Sequence, residues 1–392
     1  MSFQRVPYKK EWLVGNPLVE LSKFGQSPWL DSISRDLIAS GKLQKLIDAD
    51  GLRGVTSNPA IFEKAIDSSA AYDDEIRALA SEGKAAVDIY ENIAVKDIQS
   101  ATDVMASVYA KTGGRDGFVS LEVSPYLAND TEGTIEEARR LWKWVNRKNV
   151  MIKVPATAAG IPAIRTLIGE GMNINVTLMF SFSVYEAVAE AYIAGLEDRA
   201  AKGGDLSHIN SVASFFISRI DTLVDKLLGD KANAATNEAT RAKINGLIGK
   251  VAIANAAVTY ERFKQLFSDA RWQKLAAKGA NKQRVLWAST STKNPDYRDV
   301  IYVEELIGAD TVNTLPEPTL EAFRDHGLLR NALDEIIDDS HRVMNSVAEI
   351  GLSMDEVGDA LVADGVKKFV EPFDKLLHAI EQKRVQSAAS KP

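Results

Sequence analysis

The run Val150-Met151-Ile152-Lys153-Val154-Pro155-Ala156-Thr157 sets one lysine among apolar and β-branched residues. Alternation along a strand puts Val150, Ile152 and Val154 on one face and Met151 and Lys153 on the other. A charged amine is costly to bury. Burial biases a lysine toward its neutral form, which is a nucleophile for a carbonyl carbon. The chemistry open to Lys153 is therefore a Schiff base with a carbonyl substrate. Taken by itself, the strand also admits a lysine whose end simply reaches water.

Other short segments add groups of complementary chemistry. At 118–123, Val119, Leu121 and Val123 share one face, and Ser120 and Glu122 the other. At 172–179, Ile174, Val176 and Leu178 alternate with Asn173, Asn175 and Thr177. At 54–59, Val55 and Ser57 share one face and Thr56 and Asn58 the other. Asp31 stands near the end of an apolar segment with Trp29 and Ile33, and Ser214 closes another just before Phe215 and Phe216. On any single strand one such residue reads equally well as a satisfied core polar group. An amine, two carboxylates and several neutral hydrogen-bonding groups aimed at one interior describe a site for carbonyl chemistry.

The elements that must position these groups are short strands alternating with helices. The hydrophobic pattern predicts strands at 29–33, 54–59, 118–123, 150–157, 172–179, 209–213, 284–288 and 310–314. Helices are expected at 37–47, 61–66, 134–146, 160–169, 184–201, 216–228 and 299–307, with a long Ala-rich one at 241–266. Strands followed by helices argue for a parallel sheet, and eight of them suffice to close a (β/α)8 barrel, whose sites lie at the C-terminal strand ends. An open, doubly wound sheet is the alternative. The extra helical segments at 71–111 and 331–383 are expected as decoration on one domain spanning 1–392, with residues 386–392 frayed.

Composition narrows the partners. The 392 residues are 45% hydrophobic and 26% charged, with a formal net charge of -7. That balance disfavours nucleic acid or an acidic membrane surface. With no cysteine there is no disulfide and no thiolate ligand, and His208, His326, His341 and His378 make no metal spacing. No stretch approaches the ~20 apolar residues of a membrane span, and residues 1–15 lack the apolar core of a secretory signal. A cytoplasmic protein without metal or cofactor is expected, and monomer and homodimer both stay open.

Several motifs together resemble the transaldolase family. Gly54-Val55-Thr56-Ser57-Asn58-Pro59-Ala60-Ile61 resembles one family signature, and the Lys153 run resembles a second. Asn173-Ile174-Asn175-Val176-Thr177-Leu178-Met179-Phe180-Ser181-Phe182 is similar to the family's fifth strand, and Ser214-Phe215-Phe216-Ile217-Ser218-Arg219-Ile220 to its sixth-strand exit. With Asp31 and Glu122 the likeness spans about residues 29–315, and the additional helices resemble the longer bacterial branch. The seventh exit departs from the pattern. Many members carry an arginine soon after the serine, whereas here the nearest base after Ser289 is Lys293.

The resemblance implies a Schiff-base barrel of the class I aldolase type that acts on sugar phosphates. It implies transfer of a dihydroxyacetone unit between a ketose phosphate and an aldose phosphate in the pentose phosphate pathway. Lys153 would form the iminium and Asp31 take the substrate hydroxyl proton. Glu122 would work through a water held by Thr177. Thr56, Asn58, Asn175 and Ser214 would hold the three-carbon unit, and Arg219 would grip the phosphate with Ser289 and Lys293. Two other readings compete: a Schiff-base aldolase that releases free dihydroxyacetone, and a catalytically silent sugar-phosphate-binding barrel. Phe215 and Phe216 are expected to pack only.

Overall fold

A computed structural model describes residues 15–389. Residues 1–14, most of the stretch searched for a signal, and residues 390–392 lie outside it. Eight parallel strands close into a barrel in chain order: β1 Gln26–Asp31, β2 Gly54–Thr56, β3 Phe118–Glu122, β4 Val150–Pro155, β5 Ile174–Met179, β6 Ser211–Phe216, β7 Arg284–Ala288 and β8 Thr311–Leu315. The expected (β/α)8 barrel is the observed fold, and the open sheet is excluded by the pairing of β1 with β8.

Burial on both faces is what makes these strands near-continuous in Val, Ile and Leu. Val119, Leu121, Ile152, Val154, Ile174 and Val176 are all buried, as their alternation requires. Surrounding helices carry their own punctuation. The helix Thr131–Val145 starts where the Asp130 side chain accepts from Gly133 N–H, and it ends at Asn146 in the left-handed region with φ 48°. Its buried stripe is Ile135, Ala138, Leu141 and Val145. Gly54, at the start of β2, is required by contact: a Cβ there would lie 2.4 Å from the Trp29 ring.

The N-terminal end of the barrel is closed by a polar plug. Arg284 on β7 pairs with Asp116 at 2.8 Å and donates to Ser27 Oγ, and both charged side chains are buried. Removing either partner would strand a buried charge, a loss of about 3–5 kcal/mol. Chemistry is thereby left to the opposite, C-terminal end.

Several boundaries differ from expectation for local reasons. β1 begins three residues before Trp29 and includes Pro28. The Pro28 carbonyl accepts from Arg53 N–H, below the start of β2, so its missing N–H falls where no strand stands. β6 runs to Phe216 and so contains Ser214. The helix expected at 241–266 is two, Glu238–Asn245 and Val251–Leu266, parted around Gly246 and Gly249. The segment at 299–307 is helical only over Ile301–Glu304. β8 ends at Leu315, directly before Pro316. Pro318 lies in the first turn of a further helix, Glu317–His326, where its missing N–H costs nothing.

The largest correction concerns the helical segments expected as decoration. The 71–111 segment forms Asp73–Ser81 and Ala86–Lys111, broken around Gly83 as its sequence suggests. The C-terminal segment forms Ala332–Glu349 and Met354–Ala389. This last helix continues to Ala389 instead of fraying at 386. It packs on β5 and on the helices Pro59–Ser68, Asp73–Ser81 and Ala86–Lys111. It lies across the mouth of the barrel, where chemistry is expected. No helix among the described residues is long and apolar enough to cross a membrane.

Candidate active site

Strand register brings the lysine and a carboxylate together. Glu122 on β3 is in register with Lys153 on β4, and Lys153 with Asn175 on β5. Lys153 Nζ lies 3.5 Å from Glu122 Oε2, and both side chains are only 6% exposed. The amine also donates to the Ser57 carbonyl at 3.2 Å. Burial pushes the Glu122 carboxyl up to about 7, with the Lys153 charge pulling against it. Beyond this loose ion pair Glu122 Oε2 has no hydrogen-bond partner among the described residues, and neither has the buried Thr177 Oγ1. Orphaned polar atoms in a buried site are groups that a water or substrate satisfies.

Asp31 ends β1 opposite Thr56. Thr56 Oγ1 donates to Asp31 Oδ1 at 2.7 Å and lies 2.7 Å from Thr314 Oγ1. Having given its one proton to Asp31, Thr56 accepts from Thr314. Burial raises Asp31 above the ordinary carboxylate range, opposed by the charges of Lys153 and Arg219 and by the Thr56 bond. Two buried carboxylates thus feel the charge of one amine, both lifted by desolvation.

The four expected hydroxyl-binding residues are all bonded within the protein. Besides Thr56, Ser214 Oγ donates to Asn175 Oδ1 at 2.7 Å, and Asn175 Nδ2 donates to Ser120 Oγ at 2.9 Å. This chain runs across three strands and leaves Asn175 one amide hydrogen to give. Asn58 caps the helix Pro59–Ser68 by accepting from Ile61 N–H, which leaves its Nδ2 free to donate.

Of the residues expected to hold phosphate, Arg219 stands in the first turn of the helix Ser218–Ala234, its guanidinium 5.1 Å from the centre of the Phe216 ring. Phe216 therefore does more than pack, since it carries this cation. The opposite charges acting on Arg219 are Asp364, Asp31 and Glu122, not a neighbour on its own helix, and its buried Nη1 has no hydrogen-bond partner among the described residues. Ser289 Oγ lies 2.8 Å from Ser218 Oγ, and Ser289 adopts a left-handed φ of 56°. Lys293 is exposed and bonded to Ser291 Oγ at 2.7 Å. Partial desolvation of the amine first, although much of the residue reaches water, then the like charge of Arg219, lowers its pKa, so the two cations share one neighbourhood.

Two features escape the sequence reading. Leu178, expected to face outward with Ile174 and Val176, sits at a β5–β6 register shift with φ 58°. It meets Gly365 of the C-terminal helix instead. Phe369 of the same helix places its ring centre 5.6 Å from Lys153 Nζ. Ser120, Thr314 and Phe369 belong to the site; alternation singled out Ser120, but nothing local marks the other two. Among the described residues no group of three or more His, Cys, Asp or Glu could hold a metal ion.

A family model for Transaldolase/Fructose-6-phosphate aldolase matches residues 28–380. The chain is 48% identical over 373 residues to a protein named Transaldolase from Trichodesmium erythraeum, covering 95% of this chain and 98% of that one. It is 47% identical to Transaldolase 2 of Nostoc sp., covering 94% and 97%. A Transaldolase from Thermobifida fusca is 46% identical, covering 94% and 98%. Motifs, barrel and relatives agree, and the chain belongs to the transaldolase family.

Proposed function

We propose that this chain acts as a transaldolase of the pentose phosphate pathway. It transfers a dihydroxyacetone unit from fructose 6-phosphate or sedoheptulose 7-phosphate to an aldose phosphate, glyceraldehyde 3-phosphate or erythrose 4-phosphate. The observation that carries the reading is the buried Lys153 amine held beside Glu122, 3.5 Å away, with Asp31 in the same electrostatic environment.

Lys153 Nζ attacks the ketose carbonyl to give a carbinolamine. Glu122, with a pKa near 7, is matched to moving a proton at neutral pH. It delivers that proton through a water held by Thr177 as the carbinolamine hydroxyl leaves and the iminium forms. Asp31, steered by Thr56, takes the proton of the substrate hydroxyl while the carbon–carbon bond breaks toward the iminium. Asn58, Asn175 and Ser214 hold the hydroxyls of the three-carbon unit. Arg219 grips the phosphate with a planar fork, and Ser289 and Lys293 complete that grip. Such chemistry on metabolic sugar phosphates fits a cytoplasmic location. The deciding assay supplies fructose 6-phosphate with and without erythrose 4-phosphate. A transaldolase forms sedoheptulose 7-phosphate only with the acceptor present. Equal release of glyceraldehyde 3-phosphate in both arms would instead identify an aldolase.

A further inference from the structure

The C-terminal helix, Met354–Ala389, reaches from Lys153 to Arg219 within about one turn. The Phe369 ring centre lies 5.6 Å from Lys153 Nζ. Four residues earlier, Gly365 packs on Leu178 and Arg219: a Cβ there would lie 2.8 Å from Leu178 Cδ2 and 3.6 Å from Arg219 Nη1. Residues four apart share a helix face, so Leu361, Gly365, Phe369 and Phe373 make one buried column. Asp364 and Lys368 make the next column, at the edge of that buried face. Lys368 Nζ pairs with Asp364 Oδ2 at 2.6 Å, and the two side chains are 54% and 42% exposed. This edge sets charge beside Arg219. Burial lowers the Arg219 pKa, and the carboxylates opposing that shift are Asp364 first, then Asp31 and Glu122. The proposed reaction employs Asp31 and Glu122 at the lysine and leaves Asp364 without a role. Asp364 pairs with Lys368, while the buried Arg219 Nη1 has no hydrogen-bond partner among the described residues. Such a nitrogen is one that an arriving phosphate oxygen satisfies.

We propose that Asp364 tunes the phosphate site: its charge weakens the hold of Arg219 on phosphate, with Lys368 opposing it, so that one aldose phosphate can leave and another enter in each turnover. This rests on the transaldolase reading, in which Arg219 binds the phosphate. The physical basis is like-charge repulsion. A phosphate dianion on Arg219 feels Asp364 across a partly wet surface, where a unit charge changes binding by about a few-fold. Lys368 pulls the other way and screens Asp364. Transfer gives the weakening a use. The aldose phosphate product must leave, and the aldose phosphate acceptor must take its place, while the three-carbon unit stays on Lys153. A covalent bond keeps that unit, whereas the aldose is kept by contacts of which the phosphate grip is the charged one. The strength of this grip therefore sets how readily the two aldoses exchange. Without Asp364 each aldose phosphate would be held more tightly.

The test is titration calorimetry with inorganic phosphate, which needs no turnover, on wild type, Asp364→Asn, Asp364→Glu, Lys368→Gln and Arg219→Ala. Asp364→Asn should bind phosphate about three- to tenfold more tightly. Its KM for fructose 6-phosphate should fall by a similar factor, while KM for unphosphorylated fructose stays within about twofold of wild type. Asp364→Glu should bind phosphate as wild type does, and Lys368→Gln about two- to fivefold more weakly. The gain in Asp364→Asn should shrink as salt rises from about 20 to about 200 mM. Damage to packing loosens binding of both sugars, so tightening for phosphate alone is not an outcome a merely structural role gives. Unchanged or weaker phosphate binding by folded Asp364→Asn would overturn the proposal. If Asp364→Asn does not fold, Lys368→Gln decides, and phosphate affinity equal to or above that of wild type would overturn it. Arg219→Ala separates this proposal from the reading beneath it. Phosphate bound by Arg219→Ala as tightly as by wild type would fail the phosphate role of Arg219 itself. Loss of binding there, with no tightening in Asp364→Asn, would fail only the role of Asp364.

Discussion

Glu122 Oε2 stands 3.5 Å from Lys153 Nζ, one strand away and in register, yet burial lifts its pKa to about 7. Strand register alone places a carboxyl group beside the buried amine, and desolvation brings it to neutral pH, as the proposed acid–base role of Glu122 requires. The pair is tied to the barrel by backbone pairing, so its geometry does not depend on a flexible loop.

Glu122→Gln keeps the shape and removes the proton. Imine formation with fructose 6-phosphate should slow by about 10²–10⁴-fold. In wild type the rate of imine formation should show an ionisation near pH 7, and the variant should lack it. Stopped-flow measurement of imine formation from pH 5.5 to about 8.5 checks both statements, and an unchanged profile would remove Glu122 from the proton path.

The proposed role of Asp31 falls at a different step. Asp31→Ala should still form the imine at close to the wild-type rate, but cleave it about 10²–10⁴-fold more slowly. Single-turnover quenching with borohydride should show early trapping and delayed release of the aldose product. Slow trapping followed by normal cleavage would reverse the two roles.

The proposed phosphate grip sets apart two cations of unequal burial. Arg219→Ala should raise KM for phosphorylated sugars by about 10- to 100-fold, the worth of a charge-assisted contact, and change KM for unphosphorylated sugars much less. Lys293 is exposed and should contribute only a few-fold, as about 1 kcal/mol or less is typical of exposed charges. Steady-state kinetics on matched phosphorylated and unphosphorylated substrates reads the difference.

Much of this site is legible in the sequence because alternation and burial reinforce each other. Lys153, Glu122, Asn175 and Thr177 sit on buried strands, so the face each one takes follows from its neighbours. Closure of the barrel then brings the faces together. Arg219 is legible for another reason, since it opens a helix directly after a strand. What local pattern does not carry is non-local. Phe369 reads as one apolar position on an amphipathic helix, and its neighbour Lys153 is more than two hundred residues away. Leu178 reads as an outward strand residue, because its left-handed φ of 58° comes from a register shift against β6. The cushioning of Arg219 by Phe216 likewise depends on the turn between strand and helix.

Asp221, two residues after Arg219 but buried against Ala252 and Tyr302, offers a stability test. It is 2% exposed, accepts from Ala252 N–H and Tyr302 Oη, and is raised by burial to about 6. A carboxyl raised in the folded state favours folding while both states hold the proton, and that contribution is lost as pH rises through about 6. Above that pH the charge is buried at a cost of up to about 3 kcal/mol, from a shift of about two units at 1.36 kcal/mol each. Asp221→Asn should therefore gain about 1–3 kcal/mol relative to wild type between pH 4 and pH 8. Urea unfolding at the two pH values measures it, and an equal change at both would contradict a titrating Asp221.

The central claim is that Lys153 carries the substrate as a Schiff base. Borohydride reduction in the presence of fructose 6-phosphate, followed by peptide mass spectrometry, tests it most directly. One reduced three-carbon adduct is expected, on Lys153, and it should be absent from Lys153→Ala although that variant keeps the wild-type fold. An adduct on a different lysine, or turnover without any trapped lysine, would contradict it.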